Sequence, residues 1–505
     1  MKIVKALKRI ILYIFALIII VGVVLVKWES ITFNVSYSAI LYTIQSPLKG
    51  VDQEVIKAGI KYCMPKIFIL IAVFVIFDSV LCKINDKVVL YIKIRLYHSR
   101  EIKCDILMPC WRVFLVAIVF VGVVYVNNTL SIGEYYYAKL HPSTLYEKYY
   151  VDPNSVSISC ENDKPKNLIY IYMESMETTY ADEESGGRQP DNYIPNLTEL
   201  AVDNISFSNT EKLGGAYSSQ GAMWTMGSLF ASTSGVPFSF PMKSNDMELY
   251  SSFASGITNL GDVLYKNGYN NEFICGSDAD FAGRRQYFEQ HGNYKIFDYY
   301  TAIEEGYIDS DYYVGWGFED SKLYNIAKDE IEKLSKMDEP FNCTLLTIDT
   351  HHYEGLYVCD LCQHTYDSDA ANVINCADRQ VEAFVEWCKE QPFYDDTVIV
   401  ITGDHPRMDN YIIPDDLISN YFGRKVYNCY INVDKENVNR SNREFVQMDF
   451  FPTTLAAMGY KIEGDRLGLG TNLFSDRETL TEQLGLEVFM EEILKHSNYY
   501  LKNFM

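Results

Sequence analysis

The stretch "DTVIVITGDHP", residues 396–406, joins a run of β-branched residues to a polar ending. The run at 397–402 carries no charge and is rich in Val and Ile, which is typical of a buried β-strand. It stops at Gly403, and Asp404 and His405 follow directly. The stretch therefore predicts a core strand whose carboxyl end presents a carboxylate and an imidazole.

Three other stretches have the same character and are separated by helical patterns. They are "NLIYIYMES" at 167–175, "NEFICGS" at 271–277 and "FNCTLLTIDTHH" at 341–352. Near-continuous apolar strands that alternate with helices are typical of a mostly parallel sheet covered by helices on both faces. The expected fold class is therefore α/β, with a mostly parallel central sheet.

The carboxyl ends of three of these strands carry residues that can bind metal or phosphate, and ligands bind at that edge of open parallel sheets. The first strand ends at Glu174 and the last at Asp404 and His405, and the strand between them ends in "DTHH", residues 349–352. Each ending alone would be an ordinary cap for the following helix, but together they indicate a metal-assisted site. Such oxygen and nitrogen ligands suit Mn²⁺, Zn²⁺ or Mg²⁺ and leave one coordination place for a reacting group.

Thr225 stands at the start of a helix of small residues in "MWTMGSLFASTSGVP", residues 223–237. A threonine in this position can be an ordinary N-cap. It can also be a nucleophile, because a hydroxyl bound to a dication loses its proton far more readily than a free one. The N–H groups and the dipole of a helix start would favour a negatively charged phosphate. From this stretch alone, both roles stay open.

The first 127 residues have the pattern of a membrane anchor. A basic start is followed by an uninterrupted apolar run at 10–26, and further apolar runs follow at 67–82 and 113–126. The first is long enough to cross a bilayer, and the other two are near the lower limit. The basic stretch at 83–105 is predicted to be cytoplasmic by the positive-inside rule. Three transmembrane helices would place everything after about residue 127 outside the membrane.

The rest of the chain divides by composition. Residues 128–165, rich in tyrosine and turn-forming residues, are predicted to be a linker, residues 166–480 the α/β domain, and residues 481–505 a C-terminal helical tail. The net charge of −23 over 505 residues argues against nucleic acid as a partner, because an acidic surface repels a phosphate polymer.

Three cysteines are close enough in sequence to form one group. Cys359 and Cys362 lie in "CDLCQH", and Cys376 follows downstream. In a domain outside the membrane, a disulfide that joins Cys359 or Cys362 to Cys376 is the favoured interpretation. A zinc site is the alternative.

The quoted stretches continue into longer motifs with a shared order and spacing. These are "NLIYIYMESMETTY", "MWTMGSLFASTSGVP", "ADFAGRRQYFEQHG", "TIDTHHYEG", "TGDHPRM" and "MDFFPTTLAAMGY" followed by "LGLGTNLF". On these motifs, residues from about 166 to 475 resemble the sulfatase-like branch of the alkaline phosphatase superfamily. The resemblance is to its membrane-anchored phosphoglycerol transferases, which include lipoteichoic acid synthases and, closest to this chain, osmoregulated periplasmic glucan phosphoglycerol transferases.

The resemblance implies roles for individual residues. It makes Thr225 the nucleophile and, together with Glu174, Asp404 and His405, a ligand of one divalent metal ion, with Mn²⁺ favoured and Zn²⁺ or Mg²⁺ as alternatives. The C/S-x-P-x-R motif of true sulfatases does not surround Thr225. Sulfate ester hydrolysis is therefore not expected.

The substrate-binding residues implied by the resemblance are Arg284, His351 and His352. Arg284 would contact the phosphate, and His351 would lie beside the glycerol phosphate and move a proton. His352 is adjacent to His351 on what we expect to be an extended segment, so its ring should point the other way and support the site.

The implied activity is transfer of glycerol phosphate from phosphatidylglycerol, through a covalent phosphothreonine, to a cell-envelope glycan, glycolipid, wall polysaccharide or polyglycerol-phosphate chain. The protein is expected in the cell membrane as a multi-pass protein with an extracytoplasmic catalytic domain. Alternatives are a phosphoethanolamine transferase, a related phosphodiester hydrolase and, in another class, a non-catalytic surface binding protein. The choice among acceptors stays open.

Overall fold

The structure, a computed structural model, describes residues 2–32, 53–95, 107–130, 132–160, 165–239, 254–352, 356–418, 420–435 and 438–504. The described residues form two compact units, one up to residue 134 and one from residue 135 onward. We describe each unit by itself. Residues 96–105, which belong to the basic stretch predicted to be cytoplasmic, lie outside the described residues.

The first unit consists of long helices that contact one another. They are α1 (Lys2–Thr32), α2 (Gln53–Arg95) and α3 (Leu107–Leu130). Each contains a stretch that is long and apolar enough to cross a membrane. The membrane character that we expect is therefore confirmed, while the number of passes and the orientation stay predictions.

Asp78 is an acidic residue within the second of these apolar stretches, and it has partners inside the unit. Its Oδ1 atom accepts hydrogen bonds from Tyr13 Oη at 2.5 Å and from Trp111 Nε1 at 2.9 Å. A carboxyl group in apolar surroundings is costly unless donors satisfy it. The three helices of the anchor are thus tied together through one polar group.

The second unit is built on a six-stranded sheet. In the order in which they lie side by side, its strands are β5 (Lys295–Phe297), β4 (Asn270–Cys275), β6 (Phe341–Leu346), β2 (Asn167–Met173), β7 (Thr397–Gly403) and β9 (Asn428–Ile431). All neighbours pair in parallel except β7 and β9, which are antiparallel. The four stretches quoted from the sequence form β7, β2, β4 and β6, so the predicted α/β fold is confirmed.

The side chains of the central strand β2 alternate between two cores. Leu168, Tyr170 and Tyr172 belong to the first core, and Ile169, Ile171 and Met173 belong to the second. Successive side chains of a strand point to opposite faces of the sheet. Both faces of this sheet are covered, which explains why its strands are apolar throughout rather than alternating.

Helices cover both faces. The first core receives α5 (Leu145–Tyr149), α7 (Thr225–Ser234), α8 (Leu260–Lys266), α9 (Arg284–Gln290), α14 (Phe450–Ala457), α15 (Leu480–Leu484), α16 (Leu486–Leu494) and α17 (Asn498–Asn503). The second core receives α6 (Pro195–Asp203), α10 (Tyr299–Glu304), α11 (Asp320–Leu334), α12 (Asp369–Lys389) and α13 (Asp415–Ile418). A further helix, α4 (Ile132–Leu140), precedes them in sequence.

Short antiparallel pairs complete the second unit. They are β1 (Ile158–Cys160) with β10 (Tyr460–Ile462), β3 (Ala216–Tyr217) with β8 (Lys425–Val426), and β11 (Arg466–Leu467) with β12 (Gly470–Thr471). The predicted linker 128–165 thus contributes β1 and α5 to this unit. The predicted tail 481–505 contributes α16 and α17, and its Phe489 and Tyr500 are buried in the first core.

Candidate active site

The sheet brings Glu174 and Asp404 together at its carboxyl edge. Met173, the last residue of β2, is paired in register with Gly403, the last residue of β7. The backbone N–H of Asp404 donates to the carbonyl oxygen of Met173 at 3.2 Å. Gly403 allows this arrangement, because a Cβ atom in its place would collide with the carbonyl oxygen of Met176. Two residues far apart in sequence therefore leave adjacent strands at the same level.

His405 directs its Nε2 atom at both carboxylates. This atom lies 3.5 Å from Glu174 Oε1 and 3.4 Å from Asp404 Oδ2. The other ring nitrogen, Nδ1, lies 2.9 Å from the carbonyl oxygen of Pro406, to which it can only donate. In the neutral ring, Nε2 then carries a lone pair, which is the form that binds a metal ion.

Asp404 keeps one carboxylate oxygen unpaired. Its Oδ1 atom accepts hydrogen bonds from the backbone N–H groups of Ser175 and His405, both at 2.7 Å. Its Oδ2 atom is buried and has no hydrogen-bond partner among the described residues. A buried polar atom without a partner is costly unless it meets a ligand. One ligand atom from each of Glu174, Asp404 and His405 lies within 4.8 Å of the others, so the three residues fit a divalent cation.

Burial and mutual charge shift the pKa values of this group. Burial, followed by the Glu174 charge, raises the pKa of Asp404 to about 7. Burial also opposes ionisation of Glu174, but His405 and His351 outweigh it and lower the pKa of Glu174. For His405, the effect of burial is outweighed by Asp404 and Glu174, which raise its pKa. The ionisation of each of these three residues thus depends on the other two. Because two acidic groups face one basic group, the site favours a cation.

Thr225 is the first residue of α7, and Trp224 occupies the N-cap position. Its hydroxyl donates to Glu174 Oε2 at 3.2 Å and lies 3.4 Å from His405 Nε2. Of the two roles left open by the sequence, the N-cap is not the one that this hydroxyl has in the structure. It faces the potential metal ligands instead.

His351 and His352 lie side by side, with ring centroids 4.0 Å apart. The expectation that they point in opposite directions is wrong, because residues 349–351 form a turn in which the His351 N–H donates to the carbonyl oxygen of Ile348. The His351 ring also packs against Trp316 at 4.8 Å. Burial, followed by His352, lowers the pKa of His351 well below its usual range. Its buried Nδ1 atom has no hydrogen-bond partner among the described residues.

Arg284 is buried at the start of α9 and is held by its own loop. Its Nε and Nη2 atoms donate to the carbonyl oxygens of Phe281 at 3.1 Å and Asp278 at 2.7 Å. The Phe281 ring packs against Trp316, which in turn packs against His351. The Arg284 guanidinium lies over the Phe281 ring, 5.7 Å from its centroid, so two aromatic rings link Arg284 to His351.

Three hydroxyl residues hold Glu174 in place, and of these the sequence analysis singled out only Thr350. Ser175 Oγ donates to Glu174 Oε1 at 2.7 Å, and its backbone has a left-handed φ of 52°. Thr347 Oγ1 accepts the Glu174 N–H at 2.9 Å, and Thr350 Oγ1 donates to the Glu174 carbonyl oxygen at 2.5 Å. All three lie at strand ends within the quoted stretches, so their position was a usable signal.

Gln447 also supports the site, and nothing in the sequence singled it out. Its Nε2 group donates to the backbone carbonyl oxygens of Asp404 at 3.2 Å and Ala222 at 3.0 Å. It also donates to Ser218 Oγ at 3.0 Å. One amide thus joins the loop that precedes Thr225 to the end of β7.

The structure brings Cys359, Cys362 and Cys376 together as free thiols. The Sγ atom of Cys359 lies 3.7 Å from that of Cys362 and 3.7 Å from that of Cys376. A disulfide requires about 2.05 Å between sulfur atoms. The disulfide that we expected from the sequence is therefore not formed in the structure.

Comparison with known proteins gives a family match over most of the second unit. The family model described as Sulfatase matches residues 166–460, a segment that contains all the predicted catalytic and metal-binding residues. The phosphoglycerol transferase I of Escherichia coli strain 55989 is 33% identical over 273 residues, which make up 52% of this chain and 33% of that protein. The chain thus spans about a third of the length of the curated relatives that it matches.

Solved structures support the same fold. The lipoteichoic acid synthase LtaP from Listeria monocytogenes matches with a TM-score of 0.51 at 18% sequence identity. The match covers 69% of this chain and 96% of that chain. At this level of identity the likeness establishes the shared fold.

Proposed function

We propose, from the premise that the chain belongs to the sulfatase family, that it transfers glycerol phosphate from phosphatidylglycerol to an acceptor of the cell envelope. The observation that carries this proposal is the position of Thr225, whose hydroxyl lies 3.2 Å from Glu174 Oε2 and 3.4 Å from His405 Nε2. The similarity to a phosphoglycerol transferase supports glycerol phosphate as the group transferred.

Glu174, Asp404, His405 and Thr225 would hold one divalent cation, for which Mn²⁺ is our first choice and Zn²⁺ or Mg²⁺ the alternatives. When bound, such an ion lowers the pKa of a coordinated hydroxyl and neutralises charge on phosphate oxygens. Glu174 and Thr225 are already in contact, so the protein positions the nucleophile before substrate binds. Preorganisation of this kind reduces the cost of reaching the transition state.

The reaction would proceed in two substitutions at phosphorus. In the first, the bond from Thr225 Oγ1 to phosphorus forms while the bond from phosphorus to the diacylglycerol oxygen breaks, and the threonine proton ends on diacylglycerol. In the second, the bond from the acceptor oxygen to phosphorus forms while the bond from phosphorus to Thr225 Oγ1 breaks, and the proton of the acceptor hydroxyl ends on Thr225. His351, whose buried Nδ1 atom has no hydrogen-bond partner among the described residues, would take up and return that proton.

Two further features would bind the phosphate. Helix α7 begins at Thr225, so the N–H groups of its first turn have no acceptors within the helix and would be available to a phosphate there. Arg284 has its Nε and Nη2 atoms anchored to backbone carbonyls, and we propose that its Nη1 group meets a phosphate oxygen. His352 would then act by packing against His351 and keeping that ring in position.

The membrane anchor would serve the donor, which is a lipid. Three apolar helices with the basic stretch on the cytoplasmic side would place the second unit outside the membrane. An enzyme tethered there meets phosphatidylglycerol without extracting it from the bilayer. The acceptor would be a glycan, a glycolipid, a wall polysaccharide or a polyglycerol-phosphate chain of the envelope.

The test uses the full chain in detergent micelles with labelled phosphatidylglycerol and Mn²⁺. We expect the wild type to release diacylglycerol, and the mass of the peptide that contains Thr225 to increase by that of one glycerol phosphate group. The Thr225→Ala variant should show neither change. Ser228→Ala is the matched control, because Ser228 lies in the same helix and its buried hydroxyl has no hydrogen-bond partner among the described residues.

Two outcomes would contradict the proposal. Turnover of phosphatidylethanolamine without turnover of phosphatidylglycerol would assign the chain to phosphoethanolamine transfer. Release of free glycerol phosphate at the same rate with and without envelope acceptors would assign it to hydrolysis.

A further inference from the structure

A second group of metal-binding side chains lies on the connection between β6 and α12. This connection, residues 347–368, carries Thr350 and His351 near its start and Cys359 and Cys362 in its middle. Cys376 lies on α12, two turns after the helix begins. The three sulfur atoms lie within 4.8 Å of one another, separately from the Glu174 site.

The distances between these sulfur atoms suit a tetrahedral metal ion. A zinc–sulfur bond of about 2.3 Å places two sulfur ligands of a tetrahedron about 3.8 Å apart. The two separations from Cys359 are each 3.7 Å. A single disulfide would use two of the three sulfur atoms and leave the third as a buried or half-buried thiol. A metal ion would use all three.

We propose that Cys359, Cys362 and Cys376 form a structural zinc site, which is independent of the divalent cation at Thr225. Thiolate ligands select soft cations such as Zn²⁺ over Mn²⁺ or Mg²⁺, which prefer oxygen. Three protein ligands leave the fourth tetrahedral place to a water molecule.

One hydrogen-bond donor faces two of the three sulfur atoms. Gln380, one turn after Cys376 on α12, directs its Nε2 group at Cys376 Sγ at 3.4 Å and at Cys359 Sγ at 4.0 Å. An N–H donor in this place stabilises negative charge on sulfur. Residues that hydrogen-bond to metal ligands have a similar supporting role in other proteins. Cys359 and Cys376 are buried, which protects such a site from oxidants and competing ligands.

The zinc site would fasten the connection that carries His351 to helix α12. Arg379 on α12 also contacts this loop, because its Nη2 group donates to the carbonyl oxygen of Leu361 at 3.0 Å. A metal ion that binds two loop residues and one helix residue removes much of the freedom of this long connection. The site therefore acts on the position of His351 and on stability, not on phosphorus chemistry.

The test uses the full chain with Asp404→Asn. This substitution disables the Thr225 site and leaves intact the sulfur group, by which we mean Cys359, Cys362 and Cys376. We expect one zinc ion per chain by elemental analysis after dialysis, and its loss when Cys376→Ser or Cys359→Ser is added. Cys388→Ala is the matched control, because Cys388 is a buried free cysteine on the same helix. This control should keep its zinc.

Replacement of zinc by Co²⁺ provides a measurement that needs no cysteine variant. Three thiolate ligands should give an intense sulfur-to-cobalt charge-transfer band together with the visible bands of a tetrahedral site. A non-reducing peptide map that shows Cys359 or Cys362 joined to Cys376, with no zinc bound, would overturn the proposal. Zinc that persists in both cysteine variants would also overturn it.

Discussion

The two groups of potential metal ligands in the second unit are assembled in opposite ways. Glu174, Asp404 and His405 come from strands far apart in sequence and meet only because β2 and β7 are neighbours. The three cysteines come from one loop and the helix that follows it. The first group offers oxygen and nitrogen and faces a hydroxyl, whereas the second offers sulfur and faces an amide. The comparison suggests that one group serves chemistry and the other serves architecture, so disturbing each should have separate consequences.

The largest expected effect is that of Thr225→Ala on activity. Removal of a nucleophile leaves only binding and charge stabilisation, so diacylglycerol release should fall by at least about 10³-fold. The zinc content of the sulfur group and the Tm should match the wild type. The Ser228→Ala variant, measured in parallel, distinguishes loss of the nucleophile from damage to α7. Substantial diacylglycerol release by Thr225→Ala would show that Thr225 is not the nucleophile.

Glu174→Gln should have the next largest effect. The substitution keeps the shape of the side chain but removes the charge that faces Thr225 and His405. We expect the affinity for Mn²⁺ to fall at least about 10²-fold. The loss of a metal ligand should weaken binding more than the loss of a residue that only hydrogen-bonds to a ligand. Titration of metal-stripped protein with Mn²⁺ measures this. An unchanged titration would mean that the cation binds elsewhere, and zinc at the sulfur group should be unaffected.

Cys376→Ser should act on stability and much less on chemistry. At a zinc concentration well above the Kd of the sulfur group, loss of zinc binding should lower the Tm by about 5 °C. Diacylglycerol release at low temperature should stay within a few-fold of the wild type. A chelator should lower the Tm of the Asp404→Asn chain but not that of the same chain carrying Cys376→Ser. Equal shifts in the two chains would show that the sulfur group binds no metal.

The same contrast explains how much the sequence could predict. The four core strands were recognisable because both of their faces are buried and their apolar runs are continuous. The residues Glu174, Asp404 and His405 could be grouped because parallel strands share one carboxyl edge. These predictions needed only local patterns and one topological rule.

Other features depend on side-chain geometry that no local pattern encodes. Gln447 lies far along the chain and reaches the site only through the packing of the loops. His351 and His352 are side by side because a turn replaces the extended segment that their position suggested. The spacing of the cysteines allowed a disulfide or a metal site, and it could not supply the distances between sulfur atoms on which the zinc proposal rests.

The smallest effect that we expect comes from Ser175, which separates two contributions to the Glu174 site. Both Ser175→Ala and Ser175→Gly remove the hydroxyl that donates to Glu174 Oε1 and keep the N–H that donates to Asp404 Oδ1. Loss of the hydroxyl should weaken Mn²⁺ binding about tenfold in each variant. The left-handed φ of 52° favours glycine over alanine by about 1 kcal/mol, so Ser175→Gly should be the more stable of the two. If the two variants bind Mn²⁺ equally but differ in Tm, the hydroxyl determines the metal affinity and the backbone conformation determines the stability. If only Ser175→Ala binds Mn²⁺ more weakly, the backbone conformation at this residue positions Asp404.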